Sequence, residues 1–379
     1  MRASSRSSQT PRYRHSGACA RVLAESFTLK EMMAKSRLAD TFAAELLLWQ
    51  KTKGRTGLPW QNTSDPYRVW LSEIMLQQTQ VITVIDYYAR FLKRFPTVRE
   101  LAAAPQDDVL ALWAGLGYYS RARNLHACAQ AIVNLHAGEF PRTALALQTL
   151  PGIGPSTAAA IASFCYGERV AILDGNVKRV LTRVLGFDQD LAASKHEREL
   201  LAIATDLLPQ IDLESLMPRY TQAIMDLGAT VCTPRQPRCT SCPMQQRCVA
   251  RARGMPEAYP VKTKKLKRSS QSLWLLWAQR RDGAVLLQKR PTPGVWAGLY
   301  CLPLFASLEE LESSLSTKQG ASLQALEPFV HVLTHKDLHL HVMRLDASAA
   351  FSNLGQWISD WSAVGLPAPV KKLLSLSLL

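Results

Sequence analysis

The chain is short of acidic residues and of cysteine for its length. Its 379 residues include 30 acidic against 45 basic side chains, and only eight cysteines. Cysteines so few and so unevenly placed exclude a disulfide scaffold and fit a reducing, intracellular compartment. No apolar run is long enough to span a bilayer, which argues against a membrane protein. The positive surplus favours a polyanionic partner, although a basic surface that only aids solubility would give the same balance.

The N-terminal segment also lacks what a secretory signal needs. Residues 1–24 contain five arginines, no acidic residue and no apolar core. We predict a basic disordered extension over residues 1–35, with an organelle-targeting peptide as the alternative. In a bacterium the protein is expected in the cytoplasm, associated with the nucleoid.

Two kinds of hydrophobic pattern divide the rest of the chain. Residues 36–250 carry apolar side chains at helical spacing, and residues 251–271 are rich in Lys and Arg and are predicted to be a basic linker. Residues 272–379 change to the alternation of strands and are predicted to form a separate α/β domain. We expect strands at 273–277, 284–288, 299–304 and 338–345, and a helix at 308–315.

Four of the cysteines lie together as C-x6-C-x2-C-x5-C, at Cys232, Cys239, Cys242 and Cys248. Four thiolates at this spacing suit a single metal centre, either a structural zinc or a [4Fe–4S] cluster. Zinc sites usually combine two C-x2-C pairs, and only one such pair is present here, so the spacing favours iron. Three arginines in the loop either face a nucleic acid or balance the thiolate charge: Arg235, Arg238 and Arg247. Outside the quartet, Cys128 and Cys165 are predicted to be buried thiols.

Residues 150–157 read L-P-G-I-G-P-S-T and predict a tight turn between two helices. Gly152 and Gly154 flank an apolar residue, and Pro155 suits the start of the second helix, near Ser156. Such a hairpin directs backbone N–H groups and a helix N-terminus toward a phosphate. Followed by an Ala-rich helix, the motif indicates a helix–hairpin–helix that binds DNA.

A carboxylate lies on a mostly apolar helix face further upstream. Asp65 and Pro66 predict the start of that helix, as its N-cap and its first residue. Glu73 shares a face with apolar neighbours, so its pKa is expected to be raised, as a general acid near neutral pH requires. The alternative is a glutamate that reaches solvent or pairs with an arginine.

A second carboxylate, Asp174, ends an apolar stretch and precedes a basic helix that contains Asn176 and Lys178. Either Asp174 or Asn176 suits a capping role. The alternative for Asp174 is a carboxylate that faces Glu73 across the hairpin helix. A protonated and an ionised carboxyl group are what cleavage of a glycosidic bond through an oxocarbenium-like state requires.

The segment G-L-G-Y-Y-S-R-A-R at 115–123 places Tyr118 beside Arg121 and Arg123. An aromatic residue on a Gly-flanked loop, next to cations, suits contact with a strand and insertion into a base stack. A core aromatic residue at a helix start is the alternative.

Together these motifs resemble the MutY-type adenine DNA glycosylases of the helix–hairpin–helix superfamily, over residues from about 38 to the end. The resemblance implies a helical glycosylase fold with two subdomains, a six-helix barrel and a cluster-bearing domain, followed by an α/β Nudix-like domain. It also implies a monomer that binds a [4Fe–4S] cluster and removes adenine opposite 8-oxoguanine or guanine in double-stranded DNA. It rests on residues 58–61, 70–81, 115–125, 150–158, 173–180, 225–229 and the four cysteines.

The resemblance implies roles for individual residues. Glu73 would protonate adenine at N7, and Asp174 would stabilise the sugar cation. Asn176 and Ser156 would support catalysis. Trp60 and Gln222 would bind the flipped adenine, and Tyr118 would intercalate beside the damaged base. The expected DNA contacts are Gln78, Tyr118, Arg121, Arg123, Gly152, Gly154 and Lys178.

Three alternatives to this function differ in chemistry. An endonuclease III-like glycosylase/lyase needs a lysine two residues after the second hairpin glycine, where this chain has Ser156. A non-catalytic DNA-binding iron–sulfur protein would not need both Glu73 and Asp174. A nucleotide pyrophosphatase needs the acidic Nudix helix, and we find no such motif. The C-terminal domain is therefore expected to recognise 8-oxoguanine through Thr334 and His335, in a loop where relatives often have Phe-Ser-His.

Overall fold

The structure, a computed structural model, describes residues 29–261, 263, 267–316, 320, 322–346 and 353–376, and of residues 29–40 it describes the backbone alone. Residues 1–28 of the extension predicted over 1–35 therefore lie outside the described residues. Residues 29–35 are helical instead, because the first helix begins at Leu29. No described helix is both long enough and apolar enough to cross a bilayer.

The first two thirds of the described chain are helical, as predicted. The long helices are joined by short turns, and the four-residue helices pack against them. In chain order the helices are α1 Leu29–Lys53, α2 Pro66–Leu76, α3 Val81–Arg94, α4 Val98–Ala103, α5 Gln106–Trp113, α6 Ser120–His136, α7 Ala144–Leu147, α8 Pro155–Tyr166, α9 Gly175–Leu185, α10 Ser194–Asp206, α11 Leu213–Thr230 and α12 Val249–Ala252.

Local sequence signals set the ends of the helices that later form the site. Asp65 caps α2 by accepting a hydrogen bond from Tyr67 N at 2.9 Å, and Pro66 is its first residue. Asp174 caps α9 by accepting from Val177 N at 2.7 Å. The predicted starts of both helices are thus confirmed.

The hairpin between α7 and α8 has the predicted turn. Gly152 has φ +74, and a Cβ added there would lie 2.6 Å from Asn124 Cβ on α6, so only glycine fits. Gly154 is extended and caps α8, which begins at Pro155. Gly152 and Gly154 are both exposed, so the turn offers its backbone to the surface.

The helices form two apolar cores. The first core joins α2–α8 and includes the fully buried Trp70, Phe91 and Trp113. The second joins α1, α9 and α11 and includes Phe42 and Leu227. Glu73 lies on α2, which belongs to the first core, and Asp174 lies at the start of α9, which belongs to the second.

The C-terminal region contains the predicted sheet, followed by a final helix. Strands β1 and β7 pair in parallel over eleven residues, from Ser269↔Lys336 to Gln279↔Asp346, and the other pairs are antiparallel. The elements are β1 Ser269–Gln279, β2 Val285–Lys289, β3 Tyr300–Cys301, β4 Leu304–Phe305, α13 Leu308–Ser313, β5 Gln324–Ala325, β6 Phe329–Val332, β7 Lys336–Asp346, β8 Gln356–Ile358 and α14 Ala368–Leu376.

The two faces of the sheet pack differently because side chains alternate along a strand. Leu275 and Trp277 of β1 join the first helical core, whereas Leu276 and Ala278 form a separate small core with α13. The sheet is therefore joined to the helical region through shared apolar packing.

Some sequence-based predictions were wrong in detail. The strand expected at 299–304 is two short strands, separated at Pro303, which has no N–H for a ladder. Strands β5, β6 and β8 and helix α14 were not predicted. Cys128 is buried as expected, but Cys165 is only partly buried. The segment predicted as a linker at 251–271 contains a short 3-10 helix, Pro256–Ala258, and the start of β1.

Candidate active site and cysteine cavity

A cavity of about 310 Å³ opens between the two helical cores. Glu73 projects into it from α2, and Trp60 lies on the loop before α2. Gln222 and Met225 line the opposite wall, from α11. The structure thus brings together three residues predicted from separate motifs: Glu73, Trp60 and Gln222.

Burial, and to a lesser extent the negative charge of Asp174, raises the pKa of the Glu73 carboxyl to about 8. The side chain is only partly exposed, on a helix whose other residues are mostly buried. Removal from water disfavours the charged form of a carboxyl group. Glu73 is therefore protonated at neutral pH, and the predicted pKa shift is confirmed.

Asp174 has a different environment, although it lies close enough to act on Glu73. Burial also raises the pKa of its carboxyl, but hydrogen bonds from the backbone of Val177 and Asn176 oppose that rise. The positive charges of Arg179 and Lys178 act in the same opposing direction. The start of a helix favours an anion at this position. The capping alternative for Asp174 is confirmed, and its charge acts on Glu73. A position facing Glu73 across the hairpin helix stays a prediction.

Asn176 is held in place beside Asp174. Its Oδ1 accepts a hydrogen bond from Arg179 Nη2 at 2.8 Å, and Arg179 also donates to the carbonyl of Gly228 at 2.7 Å. A Cβ added to Gly228 would lie 2.7 Å from Asn176 Cβ, so α11 can approach α9 only with glycine there. Ser156 lies in the first turn of α8 and is partly buried.

Two residues of this site, Arg55 and Asp226, were not singled out from the sequence. Asp226 is fully buried on α11 and accepts hydrogen bonds from Arg55 Nε at 2.7 Å and from Gln222 Nε2 at 2.9 Å. Arg55 lies on the loop before α2 and lines the cavity with Gln222. A buried carboxylate is ordinarily paired in this way. In the sequence, Asp226 appears only within the segment 225–229, and nothing there indicates its pairing with Arg55.

Arg121 does not fulfil the prediction that it contacts DNA. It is 9% exposed, and its cation lies 5.3 Å from the centroid of the Trp113 ring. Since its amino groups are already satisfied by the protein, Arg121 fastens the end of α2 and the following turn to α6 instead of offering a cation to a phosphate. These amino groups donate to the carbonyls of Ile74, Met75, Gln77, Leu116 and Gly117 and to Thr79 Oγ1.

The other residues predicted to contact DNA differ in their exposure and in whether they already have partners within the protein. Gln78 is exposed, in the turn that Arg121 fastens, with φ +54. Lys178 forms an ion pair with Glu197 of α10. Arg123 is partly buried, and its Nη1 donates to the carbonyl of Ala297 at 2.6 Å, so it joins the helical region to the sheet domain. The contacts of these three residues with DNA stay predictions. A contact between Arg123 and DNA would compete with its hydrogen bond to Ala297.

A larger cavity, of about 600 Å³, lies between the helical region and the sheet domain. Tyr118, with φ +48 and 43% exposed, lines it from the helical side, and Thr334 and His335 line it from the loop before β7. The hydroxyl groups of Tyr118 and Thr334 are 2.5 Å apart and hydrogen-bonded. The structure therefore brings the predicted intercalating residue and the predicted lesion-recognition residues to one cavity.

Cys232, Cys239, Cys242 and Cys248 line a third cavity, next to α9 and α12. Arg183, which is almost fully buried, has its Nη1 3.4 Å from Cys232 Sγ and donates to the carbonyl of Thr233 at 2.7 Å. A buried cation beside these thiols offsets the negative charge that thiolate ligands carry.

The cysteine cavity offers the donor set of a thiolate-bound metal centre. Four thiols line it, and a buried cation lies beside one of them. Both a structural zinc and a [4Fe–4S] cluster use four such ligands. In the described part of the chain, no three or more Cys, His, Asp or Glu side chains are already placed to hold one metal ion.

The arginines of the cysteine loop have two kinds of environment. Arg235 and Arg238 are exposed. Arg247 instead forms a bidentate pair with Glu45 of α1, at 3.1 Å from Nε to Oε2 and 2.5 Å from Nη2 to Oε1. The loop is thus fastened to the helical region at one point and offers cations at another.

The fold and the site define a class of DNA repair proteins. The model of the HhH-GPD superfamily of base excision DNA repair proteins matches residues 71–205, and that of the NUDIX domain matches residues 274–376. Among solved structures, a thermostable thymine-DNA glycosylase is 26% identical, with a TM-score of 0.51, over 58% of this chain and 99% of that one.

Curated relatives narrow the class. The adenine DNA glycosylase of Buchnera aphidicola subsp. Baizongia pistaciae is 35% identical over 88% of this chain and 96% of its own length. The adenine DNA glycosylase of Homo sapiens is 43% identical over 56% of this chain and 40% of its own length. The chain belongs to the adenine DNA glycosylase family, which confirms the resemblance and the predicted fold class.

Proposed function

We propose that the protein is a monofunctional DNA glycosylase that flips adenine out of double-stranded DNA and hydrolyses its N-glycosidic bond. The observation that carries the proposal is the pair formed by Glu73 and Asp174, two desolvated carboxyl groups close enough for the charge of Asp174 to raise the pKa of Glu73. The names of the curated relatives support adenine as the base removed. Flipping is required because the glycosidic bond is inaccessible in a base stack.

In the proposed reaction, Glu73 is the general acid. Its pKa of about 8 keeps it protonated at neutral pH, so it can donate its proton to N7 of adenine and make the base a better leaving group. Asp174, supported by hydrogen bonds at the start of α9, is the ionised partner that stabilises the positive charge developing on the sugar. Two carboxyl groups with different environments thus take the acid and the stabilising roles.

The first turn of α8 favours hydrolysis without strand cleavage. A lyase step needs an amine that forms a Schiff base with the sugar. The chain has Ser156 at the position that the hairpin gives to such a lysine. We therefore expect an abasic site as the product, and we assign Ser156 a supporting role only.

We propose that the cavity between the domains reads the base opposite adenine, either 8-oxoguanine or guanine. Tyr118 is exposed and aromatic, which suits insertion into the base stack. Thr334 and His335 line the same cavity and offer hydrogen-bonding groups to an oxidised purine. Insertion of the Tyr118 ring into the base stack would break its hydrogen bond with Thr334 and free the Thr334 hydroxyl group for the lesion.

We propose that the four cysteines hold a [4Fe–4S] cluster. Such a cluster supplies four thiolate-bound iron atoms that crosslink the loop between α11 and α12. The cluster would be held by Cys232, Cys239, Cys242 and Cys248. Arg183 fixes the backbone of this loop through its hydrogen bond to the carbonyl of Thr233. Arg235 and Arg238 then present their cations to DNA phosphates. A monomeric state, an intracellular location and the domain limits 36–250, 251–271 and 272–379 stay predictions.

Product analysis tests this function directly. The protein is incubated with duplexes that contain adenine opposite 8-oxoguanine, adenine opposite guanine, or thymine glycol, with and without alkali. We expect free adenine from the first two duplexes and strand breaks only after alkali. Breaks at thymine glycol without alkali would instead identify a glycosylase/lyase, and binding without release of any base would identify a non-catalytic DNA-binding protein.

A further inference from the structure

Asp226 is a fully buried carboxylate that the two-carboxylate chemistry does not use. It lies on α11 one turn after Gln222, behind the wall of the active-site cavity. Burying an ionised group is costly unless it is paired and hydrogen-bonded. Its position next to a residue predicted to bind the base indicates that it determines what the cavity offers to that base.

The contacts of Asp226 come from two residues of the cavity wall. Arg55 contributes three nitrogens: its Nε and Nη2 lie 2.7 Å and 2.6 Å from Oδ1, and its backbone N lies 2.9 Å from Oδ2. Gln222 contributes its side-chain amide, with Nε2 2.9 Å from Oδ1. Gln61 fastens the same loop, because its Nε2 donates to the carbonyl of Arg55 at 3.0 Å.

An ionised carboxylate only accepts hydrogen bonds, whereas a glutamine amide has one accepting end and one donating end. Asp226 therefore requires Gln222 to turn its NH2 group inward. The carbonyl oxygen of Gln222 is then the end left for the cavity. Arg55 can only donate, so Asp226, and not Arg55, is the partner that holds the NH2 group of Gln222.

We propose that Asp226 is a positioning residue that selects 6-amino over 6-oxo purines by fixing the orientation of the Gln222 amide. This proposal rests on the proposed function. The exocyclic amine of adenine can donate to the Gln222 oxygen. A 6-oxo purine such as hypoxanthine brings an oxygen against that oxygen, and two acceptors cannot pair. A site built to hydrogen-bond one group rejects an analogue that leaves its polar atoms unpaired.

The substitution Asp226→Ala tests this idea, because it removes the carboxylate that accepts from the Gln222 amide. The Arg55 guanidinium can then only donate, so Gln222 turns its oxygen toward Arg55 and offers its NH2 group to the cavity. Single-turnover release is measured for adenine, purine and hypoxanthine, each opposite 8-oxoguanine in the same duplex. We expect the adenine-to-hypoxanthine rate ratio to fall by about tenfold or more, the size of one lost discriminating hydrogen bond.

The double variant Asp226→Ala/Gln222→Ala is the matched control. If Asp226 acts through Gln222, then Asp226→Ala leaves the ratio unchanged once Gln222 is replaced by alanine. A ratio of two substrates on one preparation does not depend on the folded fraction, so partial unfolding of the variant does not obscure the result. A merely structural role would instead lower all three rates together and leave the ratio unchanged, which would overturn the proposal.

The wild-type protein offers a second test that needs no Asp226 variant. The hypoxanthine-to-purine rate ratio should be lower in the wild-type protein than in Gln222→Ala. The reason is that the hypoxanthine oxygen opposes the Gln222 oxygen, whereas purine has no substituent at this position. Equal ratios in the two proteins would also overturn the proposal. Failure of the wild-type protein to release adenine at all would contradict the proposed function itself, and the two failures are thus distinguishable.

Discussion

The active-site cavity and the cavity between the domains are built in different ways. The first is lined by Glu73, whose pKa is raised by burial, and its wall is fixed by the buried pair of Asp226 and Arg55. The second is lined in part by exposed residues, among them Tyr118 and Thr334, which are joined by one hydrogen bond. From this difference we expect the chemistry to be prearranged before DNA binds, and the reading of the opposite base to depend on side chains that exchange partners.

The largest effect is expected from the prearranged side of this comparison. Glu73→Gln keeps the shape of the side chain but removes the transferable proton, so adenine release should fall by about 10² to 10⁴-fold. Single-turnover kinetics on the duplex with adenine opposite 8-oxoguanine measures the loss. Binding of the same duplex, measured by anisotropy, should be largely retained. A rate close to wild type would remove Glu73 from its role.

A smaller loss is expected at the second carboxylate. Asp174→Asn retains a cap for α9 but loses the negative charge that faces the sugar, so we expect release to fall about 10²-fold. Asp65→Asn is the control, since it alters the cap of α2 and leaves the cavity charge intact. Equal effects of the two changes would mean that Asp174 acts only as a helix cap.

The stability of the free protein should show the raised pKa of Glu73. The folded protein holds this proton up to about pH 8, whereas the unfolded chain loses it near the ordinary value of 4.5. The folded state therefore binds more protons between these values, and the free energy of unfolding contributed by Glu73 falls as the pH rises through them. The free energy of unfolding, measured by denaturant titration from pH 5 to 9, should decline less steeply with pH in Glu73→Gln than in the wild-type protein. Parallel curves for the two proteins would contradict the shift.

Two arginines separate structural from DNA-binding roles. Arg121→Gln leaves several buried carbonyls without a donor and should reduce the free energy of unfolding by about 1–3 kcal/mol. Arg235→Gln, at an exposed position, should leave stability unchanged and reduce the salt dependence of DNA binding by about one charge. Thermal unfolding and binding at several salt concentrations measure both. If Arg121→Gln instead reduced the salt dependence of DNA binding and left stability unchanged, Arg121 would be a phosphate contact after all.

The smallest effect is expected at the cavity between the domains. Thr334→Val removes one hydroxyl group and preserves side-chain shape, so the preference for 8-oxoguanine over guanine should change less than about tenfold. The measurement compares rates on the two duplexes, and Thr205→Val, on α10 and outside both cavities, is the matched control. A loss as large as that of Glu73→Gln would mean that this cavity is as prearranged as the active site.

Local features of the site were predictable from the sequence, and long-range ones were not. The caps at Asp65 and Asp174 depend on backbone groups within three residues. The raised pKa of Glu73 followed from its apolar helix face. Asp226, in contrast, is paired with Arg55, 171 residues away, and nothing near either residue indicates the other.

Arg121 illustrates the same limit from the other direction. Its loop suggested a phosphate contact, because an arginine beside glycines and tyrosines is typical of DNA-binding segments. Several of its partners are backbone carbonyls at the end of α2, 44 to 47 residues away, and carbonyls leave no trace in a sequence pattern. Prediction of the sheet was limited in a similar way, since a two-residue strand such as β5 carries too little periodicity to be predicted.

The pH dependence of adenine release tests the central claim most directly. Single-turnover rates are measured from pH 6 to 9.5 on the duplex with adenine opposite 8-oxoguanine, for the wild-type protein and for Glu73→Gln. We predict a wild-type rate that is lost as the pH rises through about 8, where Glu73 gives up its proton, and a slow rate without that transition in the variant. A wild-type transition near the ordinary glutamate pKa, or the same transition in both proteins, would contradict the account.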